Sequence, residues 1–389
     1  MKWRFNLGML AIGAVLFASC SSNDDLFDPE KAAQRREAQY TTAFAKLYGE
    51  IAPDQDWGFG EKAETRKANT DAAVGNDKTV NMPAEIDETE IAKVVKAFSE
   101  PIDASESINV NWTDFWVQQV YTGTAEYVWK DNNGAEHKDK GSRNMDRLVV
   151  GKSIEKQEHV NNFNAANGGG TNRMLMQDSS TKLFGYHNSL DGTYHYEYVV
   201  LEIDGSYYVG FDFCATGDKN IPGDGIYDDW ILKISPAVYK NAKRIIAEDL
   251  GGIGDFDFND VVFDVASHNG EKVITLWAAG GTLPLFIGDT EHEIHALFGV
   301  STTTIVNTGA GTETKAPVVF RLSSSDDVPP IIVESTTAGK YNLKSECGKA
   351  PQMICVPTTY EWTDERVAID TKYPKFKEWV GNTAIDWLN

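Results

Sequence analysis

Glu248-Asp-Leu-Gly-Gly-Ile-Gly-Asp-Phe-Asp-Phe-Asn-Asp260, followed at once by Val261-Val-Phe-Asp-Val265, is the stretch on which the reading of this chain turns. Six of the thirteen residues up to Asp260 carry side-chain carboxylate or carbonyl oxygens, and three are glycines that leave the backbone free to wrap. Oxygen donors on alternate residues of a tight loop suit a hard cation, and calcium takes about six to eight of them. Asp255, Asp257 and Asn259 have the odd-residue spacing that aims side chains at one centre, with Glu248 and Asp249 the next candidates. Asp260 faces the other way, as a turn cap or an outer support. The Val261–Val265 tail, β-branched and aromatic, predicts a strand.

The stretch has a partner. Gly223-Asp-Gly-Ile-Tyr-Asp-Asp-Trp-Ile-Leu-Lys-Ile234 aligns without gaps on Gly254–Val265, thirty-one residues later. Asp224 matches Asp255, Asp228 matches Asn259 and Asp229 matches Asp260. A strand ending in acid precedes each copy, Phe211-Asp212 in the first and Ala247-Glu-Asp249 in the second. Two similar strand–loop–strand units are expected. The first copy also approaches a twelve-residue calcium loop, with Asp218 at position one, Asn220 at three, Gly223 at six and Asp229 at twelve. Pro222 stands where an acid belongs and no helix follows, so an EF-hand is not supported. Asp and Asn also occupy tight turns simply to cap backbone N–H groups. Crowded acids without a cation repel one another, and the repetition of the pattern adds weight to calcium.

Working outward, the remaining chain reads as mainly β: an antiparallel sandwich or jelly-roll-like body in two sheet lobes, with short N-terminal helices. Strands are expected at Phe115–Tyr121, Tyr127–Trp129, Arg147–Val150, Leu183–Tyr186, Tyr194–Ile203, Tyr207–Phe211, Lys272–Ala278, Val318–Leu322 and Ile331–Val333. Asp204-Gly205 predicts a tight hairpin turn. Asp28-Pro29-Glu30 opens one helix, whose Tyr40, Phe44, Leu47, Tyr48 and Ile51 recur at helical spacing, ending by Pro53. Asp87-x-x-Glu90 caps a second, with Ile91, Val94, Val95 and Phe98 on one face. A short helix and tail are expected from Lys372 to Leu388. The boundaries drawn are a signal segment at 1–19, a tether and helix at 20–60, a linker at 61–86, a helix and first β-lobe at 87–200, and a second β-domain with the acidic loops at 201–389.

The first residues supply an address. Lys2 and Arg4 precede an apolar run from Leu7 to Phe17, too short for a membrane span, and small residues lead to Cys20. Leu16-Phe-Ala-Ser-Cys20 resembles a bacterial lipobox, which implies lipidation at Cys20. Ser21-Ser-Asn-Asp-Asp25 resembles the acidic export tag of Bacteroidota surface lipoproteins. Together they imply an outer-membrane, lipid-anchored, surface-exposed protein. The excess of 22 acidic over basic residues argues against nucleic acid as a partner and against direct contact with an anionic membrane surface. Membrane contact is then through the anchor alone, with a glycan or protein ligand at the cell surface. Cys347 and Cys355 are spaced to close a small loop in an oxidising envelope.

Catalytic signatures are weak. His292-Glu-Ile-His295 has the wrong spacing for a zinc protease helix. There is no GxSxG elbow and no P-loop. Trp112, Trp116, Tyr121 and Trp129 offer a sugar-stacking platform, but aromatics at period two read first as sandwich core.

The Glu248–Asp264 core is similar to the signature of LruC-domain surface proteins, a family of Bacteroidota lipoproteins. Gly280–Ile287, Glu293–Gly299, Ile354–Pro357 and Tyr373–Trp379 resemble the same family, so the resemblance covers about Leu201 to the C-terminus. It implies a surface-anchored, calcium-binding β-domain and supplies neither a ligand nor a reaction. The expected function is a calcium-stabilised, non-enzymatic lipoprotein in adhesion, glycan binding or envelope structure. The alternative is a calcium-dependent glycan-active enzyme.

Overall fold

A computed structural model forms the expected strands wherever they fall among the residues it describes. It describes residues 28–60, 80–81, 83–108, 110, 115–130, 133–142, 173–176, 194–215 and 223–388. The signal segment with Cys20, most of the linker, Asp218, Asn220, Trp112 and the strands expected at Arg147–Val150 and Leu183–Tyr186 lie outside these. The strands are β1 (Phe115–Thr122), β2 (Thr124–Lys130), β3 (Glu136–Ser142), β4 (Arg173–Met176), β5 (Tyr194–Ile203), β6 (Ser206–Ala215), β7 (Trp230–Pro236) and β8 (Lys243–Ala247). They continue with β9 (Val261–His268), β10 (Glu271–Ala278), β11 (Leu285–Ile287), β12 (Val318–Leu322), β13 (Ile331–Ser335), β14 (Gly339–Asn342) and β15 (Met353–Val356).

One sheet runs β4-β1-β7-β6-β5, a second β12-β10-β9-β8-β15 and a third β11-β13-β14, while β2 and β3 form a hairpin. Their strand pairs are antiparallel. Ala266, Val273 and Val319 of the second sheet share a buried cluster with Phe115, Trp116, Val209 and Leu232 of the first, which makes the body sandwich-like. The division drawn at 200/201 does not follow the sheets. β5 runs through it, and the first sheet takes β1 and β4 from one side and β6 and β7 from the other. Asp204 and Gly205 have φ of 49° and 70°, the left-handed pair that a two-residue hairpin between β5 and β6 requires.

Helix α1 (Pro29–Tyr48) starts where Asp28 accepts a 3.2 Å hydrogen bond from the Lys31 amide. Its buried stripe of Tyr40, Phe44 and Tyr48 joins the core of the second sheet, so residues 28–60 are part of the body. The helix stops at Gly49, four residues before the expected Pro53. Trp57 beyond it is fully buried and lends its carbonyl to the Cys355 amide at 2.9 Å. Gly58 has φ +83°, and a Cβ there would collide with the Cys355 carbonyl, which explains the glycine after Trp57. Helix α2 (Glu88–Phe98), capped by Asp87, buries Val94 and Phe98 against Val120, Val199, Tyr208 and Ile231 of the first sheet. Helix α3 (Ile294–Leu297) and the C-terminal α4 (Ile369–Lys372) and α5 (Phe376–Gly381) are short. The short helix expected after Lys372 is α5, and α4 precedes it. Trp379 and Trp387 stack at 5.1 Å, with Phe376 against both.

The bridge allowed by the Cys347–Cys355 spacing is not formed. Both are free thiols: Cys355 is buried on β15, where burial pushes its pKa up to about 11, and Cys347 is exposed on a turn.

Candidate metal centre

The acidic stretch is the connection between β8 and β9, whose last rungs pair Ala247 with Val261. In the first sheet Gly210 pairs with Ile231, and the repeat offset places that rung on Ile246 with Val262. Asp212 is therefore the counterpart of Glu248, although Asp212 still lies within β6 and pairs with Glu197 of β5, whereas Glu248 is the first residue beyond β8. The two strand–loop–strand units exist, one in each large sheet.

Within the second loop, Phe256 and Phe258 have φ of 49° and 53°, and Leu250 has 61°. Bulky residues rarely adopt this region, so packing must hold them there. Phe256 is enclosed by Tyr40, Phe44 and Tyr48 at ring separations of 5.3, 5.5 and 5.7 Å, and Phe258 lies 6.3 Å from Phe376. The aromatics face the core, and the residues between them carry the acids.

Each acid is tied to backbone. Glu248 accepts from the Phe258 amide at 2.7 Å. Asp249 accepts from the amides of Gly251 and Leu283, and Asp260 from the Asp249 amide at 2.6 Å, the capping role expected of it. Asp257 accepts from the Arg366 amide at 2.7 Å and, at 3.4 Å, from Asn259. Glu248, Asp249, Asp257 and Asn259 are buried, whereas Asp255 and Asp260 are half-buried. Asp255 thus ranks below Glu248 as a buried oxygen donor, the reverse of the order read from spacing.

Electrostatically this is an uncompensated cluster. Among the described residues, no Lys or Arg side chain forms an ion pair with Glu248, Asp249, Asp255, Asp257 or Asp260. Burial, then the charges of Asp257, Asp255 and Asp249, pushes the Glu248 carboxyl well above its ordinary range. Burial, then Asp249 and Glu248, does the same to Asp260. Asp257 is pushed up to about 7, chiefly by burial. The Asn259 Oδ1 is buried with no hydrogen-bond donor, while its amide nitrogen reaches the Thr363 carbonyl at 3.1 Å. Gly280 and Gly281 press on the loop: a Cβ on Gly280 would sit 2.7 Å from the Asn259 carbonyl oxygen, and one on Gly281 2.8 Å from Asp249 Oδ2. Among the described residues, no three acid, histidine or cysteine side chains converge as a ready-made metal cage.

Sequence reasoning missed Glu365. Its Oε2 is buried without a partner, and the carboxyl is raised by burial, opposed by Arg366 and reinforced by Asp255 and Asp249. It stands in Thr363-Asp-Glu-Arg366, which reads as an ordinary surface run, so no local signal marks it. His295 has a supporting place instead of a catalytic one. It is buried on α3 with Nδ1 2.9 Å from Glu293 and Nε2 3.0 Å from the Gly281 carbonyl, bracing the glycine pair. His292 stacks on Phe320 at 4.5 Å. Of the proposed sugar platform, Trp116 is buried core with its indole N–H on the Asn81 carbonyl.

The first copy gathers less. Asp224 is exposed and caps the Ile226 amide, and Asp228 is half-buried and takes a hydrogen bond from Ser99 of the α2 cap. Asp229 receives a 2.9 Å bond from Gly123 on its backbone carbonyl. Asp212 is buried, bonded by the Gly225 amide at 2.9 Å, and burial pushes it up to about 7. A carboxyl raised in the folded state holds its proton there and loses it in the unfolded chain, so stability falls as pH climbs from about 4 toward 7. Asp212→Asn keeps an acceptor for Gly225 without the charge. It is expected to stabilise the protein by roughly 1–2 kcal/mol above pH 7, shrinking toward zero near pH 4, as read by denaturant unfolding at both pH values.

Comparison of the chain with family models, with curated proteins and with solved structures returned no match.

Proposed function

We propose that this chain is a surface-anchored lipoprotein of the LruC-domain type, whose second acidic loop takes up calcium as a structural staple for a non-enzymatic binding domain. The observation that carries the reading is the buried, uncompensated acid cluster beside an orphaned Asn259 oxygen. At neutral pH such a cluster must either retain protons or accept a cation. A donor set of carboxylate, amide and backbone oxygens, without sulfur, suits calcium. Glu248, Asp257 and Asn259 would hold the ion from the buried side, with Asp249, Asp255, Asp260 and Glu365 around them. The ion would supply the positive charge that the loop lacks. The first loop is the weaker candidate, since Ile226 stands where the second has Asp257.

Anchoring at Cys20 in the outer membrane rests on the signal segment and the lipobox-like string. No helix among the described residues is long and apolar enough to cross a membrane, which is compatible with a lipid anchor. The test is metal analysis of the purified full chain, with thermal melting in chelator and after calcium is returned. Bound calcium, a Tm lowered by chelator and its recovery on adding calcium are expected. No metal and an unmoved Tm would overturn the reading.

A further inference from the structure

A cavity of about 320 Å³ lies beside β8, lined by Arg244, Thr358, Thr359, Tyr360, Glu361 and Trp362. We infer that it is a saccharide-binding subsite. This deepens the binding-module reading above by naming a ligand class, and it does not depend on the calcium loop being occupied.

Arg244 is only 7 % exposed and is held rigidly. Its Nε and Nη2 donate to the two oxygens of Asp264 at 2.7 and 2.9 Å, and its Nη1 donates to the Tyr360 carbonyl at 2.6 Å. The guanidinium lies over two indoles, 5.4 Å from the Trp277 ring centre and 5.2 Å from that of Trp362. Both indoles are fixed in turn: Trp277 donates to Asp264 at 2.8 Å and Trp362 to the Asn307 carbonyl at 2.7 Å. Arginine has five N–H donors, so two remain without a protein acceptor among the described residues. Leaving such groups unsatisfied is costly, and a ligand offering oxygen acceptors relieves that.

The charge balance selects the class. Asp264 neutralises Arg244, Glu361 stands exposed at the rim with Lys372 Nζ 3.1 Å from its Oε2, and the chain carries a net charge of −22. The charges of both signs are paired, so no free positive charge is left to hold an anion. A neutral polyhydroxyl ligand meets donors from Arg244, the hydroxyls of Thr358 and Thr359, an acceptor in Glu361 and the apolar wall of Trp362. Pre-fixed side chains lose little freedom on binding. The volume lies at the small end of ligand cavities, which span roughly 300–1,000 Å³.

The test titrates the full chain in detergent, with calcium saturating, against neutral oligosaccharides of glucose, galactose, mannose and N-acetylglucosamine. Sulfated and uronate glycans serve as anionic counterparts. Tryptophan fluorescence and calorimetry report binding, and chromatography of the sugar reports any cleavage. At least one neutral glycan is expected to bind uncleaved. Thr358→Val combined with Thr359→Val is expected to weaken it about tenfold or more with Tm unchanged. Glu361→Gln provides a second, surface-only variant with loss in the same direction. The inference is overturned if no neutral glycan binds, if binding ignores these variants, or if the anionic glycans bind tighter than the neutral ones. Cleavage of the bound glycan overturns the non-enzymatic reading instead. The chelator response of Tm is a separate readout, so failure here and failure of the calcium reading are told apart.

Discussion

Glu248→Gln is expected to abolish the stabilisation by calcium while leaving the calcium-free protein as stable as the wild type, or more so. Glutamine keeps the oxygen that accepts from the Phe258 amide, so the turn remains capped. What it removes is a buried negative charge among Asp257, Asp255 and Asp249. Without metal, burial and those charges raise the Glu248 carboxyl, and a carboxyl whose folded pKa lies above its unfolded value stabilises the fold less as pH rises through that interval. The calcium-free wild type should therefore melt progressively lower as pH rises from about 4 to 7, the interval over which Asp257 is shifted, and Glu248→Gln should flatten part of that slope. Calcium reverses the sign, because it favours the ionised acids. A ligand at a thousandfold excess over Kd stabilises by about 4 kcal/mol, and most of that gain should vanish in the variant. Calorimetric melting across pH, with and without calcium, reads both effects together. If the acids are only turn caps, neither protein responds to calcium. An equal calcium shift in both proteins would remove Glu248 from the site.

Much of this centre was legible because its signals are local. Caps at Asp28 and Asp87, the Asp204-Gly205 turn and the thirty-one-residue repeat each act over a few residues of chain, and the structure has them where the sequence implied. The acids of the second loop were legible for the same reason. The sheet order was not, since β1 finds β7 across more than a hundred residues, and no local pattern fixes which apolar face it covers. Burial was also unreadable at single positions. Spacing alone set Asp255 beside Asp257, yet Asp257 is enclosed by the Thr363–Arg366 segment and Asp255 is left half-open. Glu365 and the glycine pair reach the loop only through the tertiary fold. His295 showed the converse: a motif that suggested chemistry is consumed by two structural hydrogen bonds.

Phe256→Ala is expected to cost about 3–5 kcal/mol and to loosen helix α1 from the body. Phe256 is 1 % exposed, and three aromatic residues of α1 close around it. Its carbonyl also takes the Ile369 amide at 3.0 Å, tying the loop to the C-terminal helices. Arg36 of α1 donates to the Leu250 carbonyl at 2.9 Å, and Tyr40 donates to the Pro351 carbonyl at 2.5 Å, so the helix grips both ends of the same region. Truncating the ring opens a cavity between loop and helix that neither can fill, because φ at position 256 is held at 49° by the turn. Phe256→Gly separates the two contributions, since glycine accepts that φ freely and the ring is lost in both variants. If packing dominates, both should melt far below the wild type, and trypsin should cut sooner at Lys31, Arg35 and Arg36. Hydrogen exchange along α1 should rise with them. Removing calcium from the wild type should move α1 in the same direction to a smaller extent, because the loop that presents Phe256 is then held only by its backbone caps. Unchanged protection of α1 in Phe256→Ala would show that its other contacts, among them Phe44 on Trp57, Tyr48 on Phe376 and the hydrogen bonds of Arg36 and Tyr40, suffice to hold the helix, and that the acidic loop and the N-terminal helix respond independently.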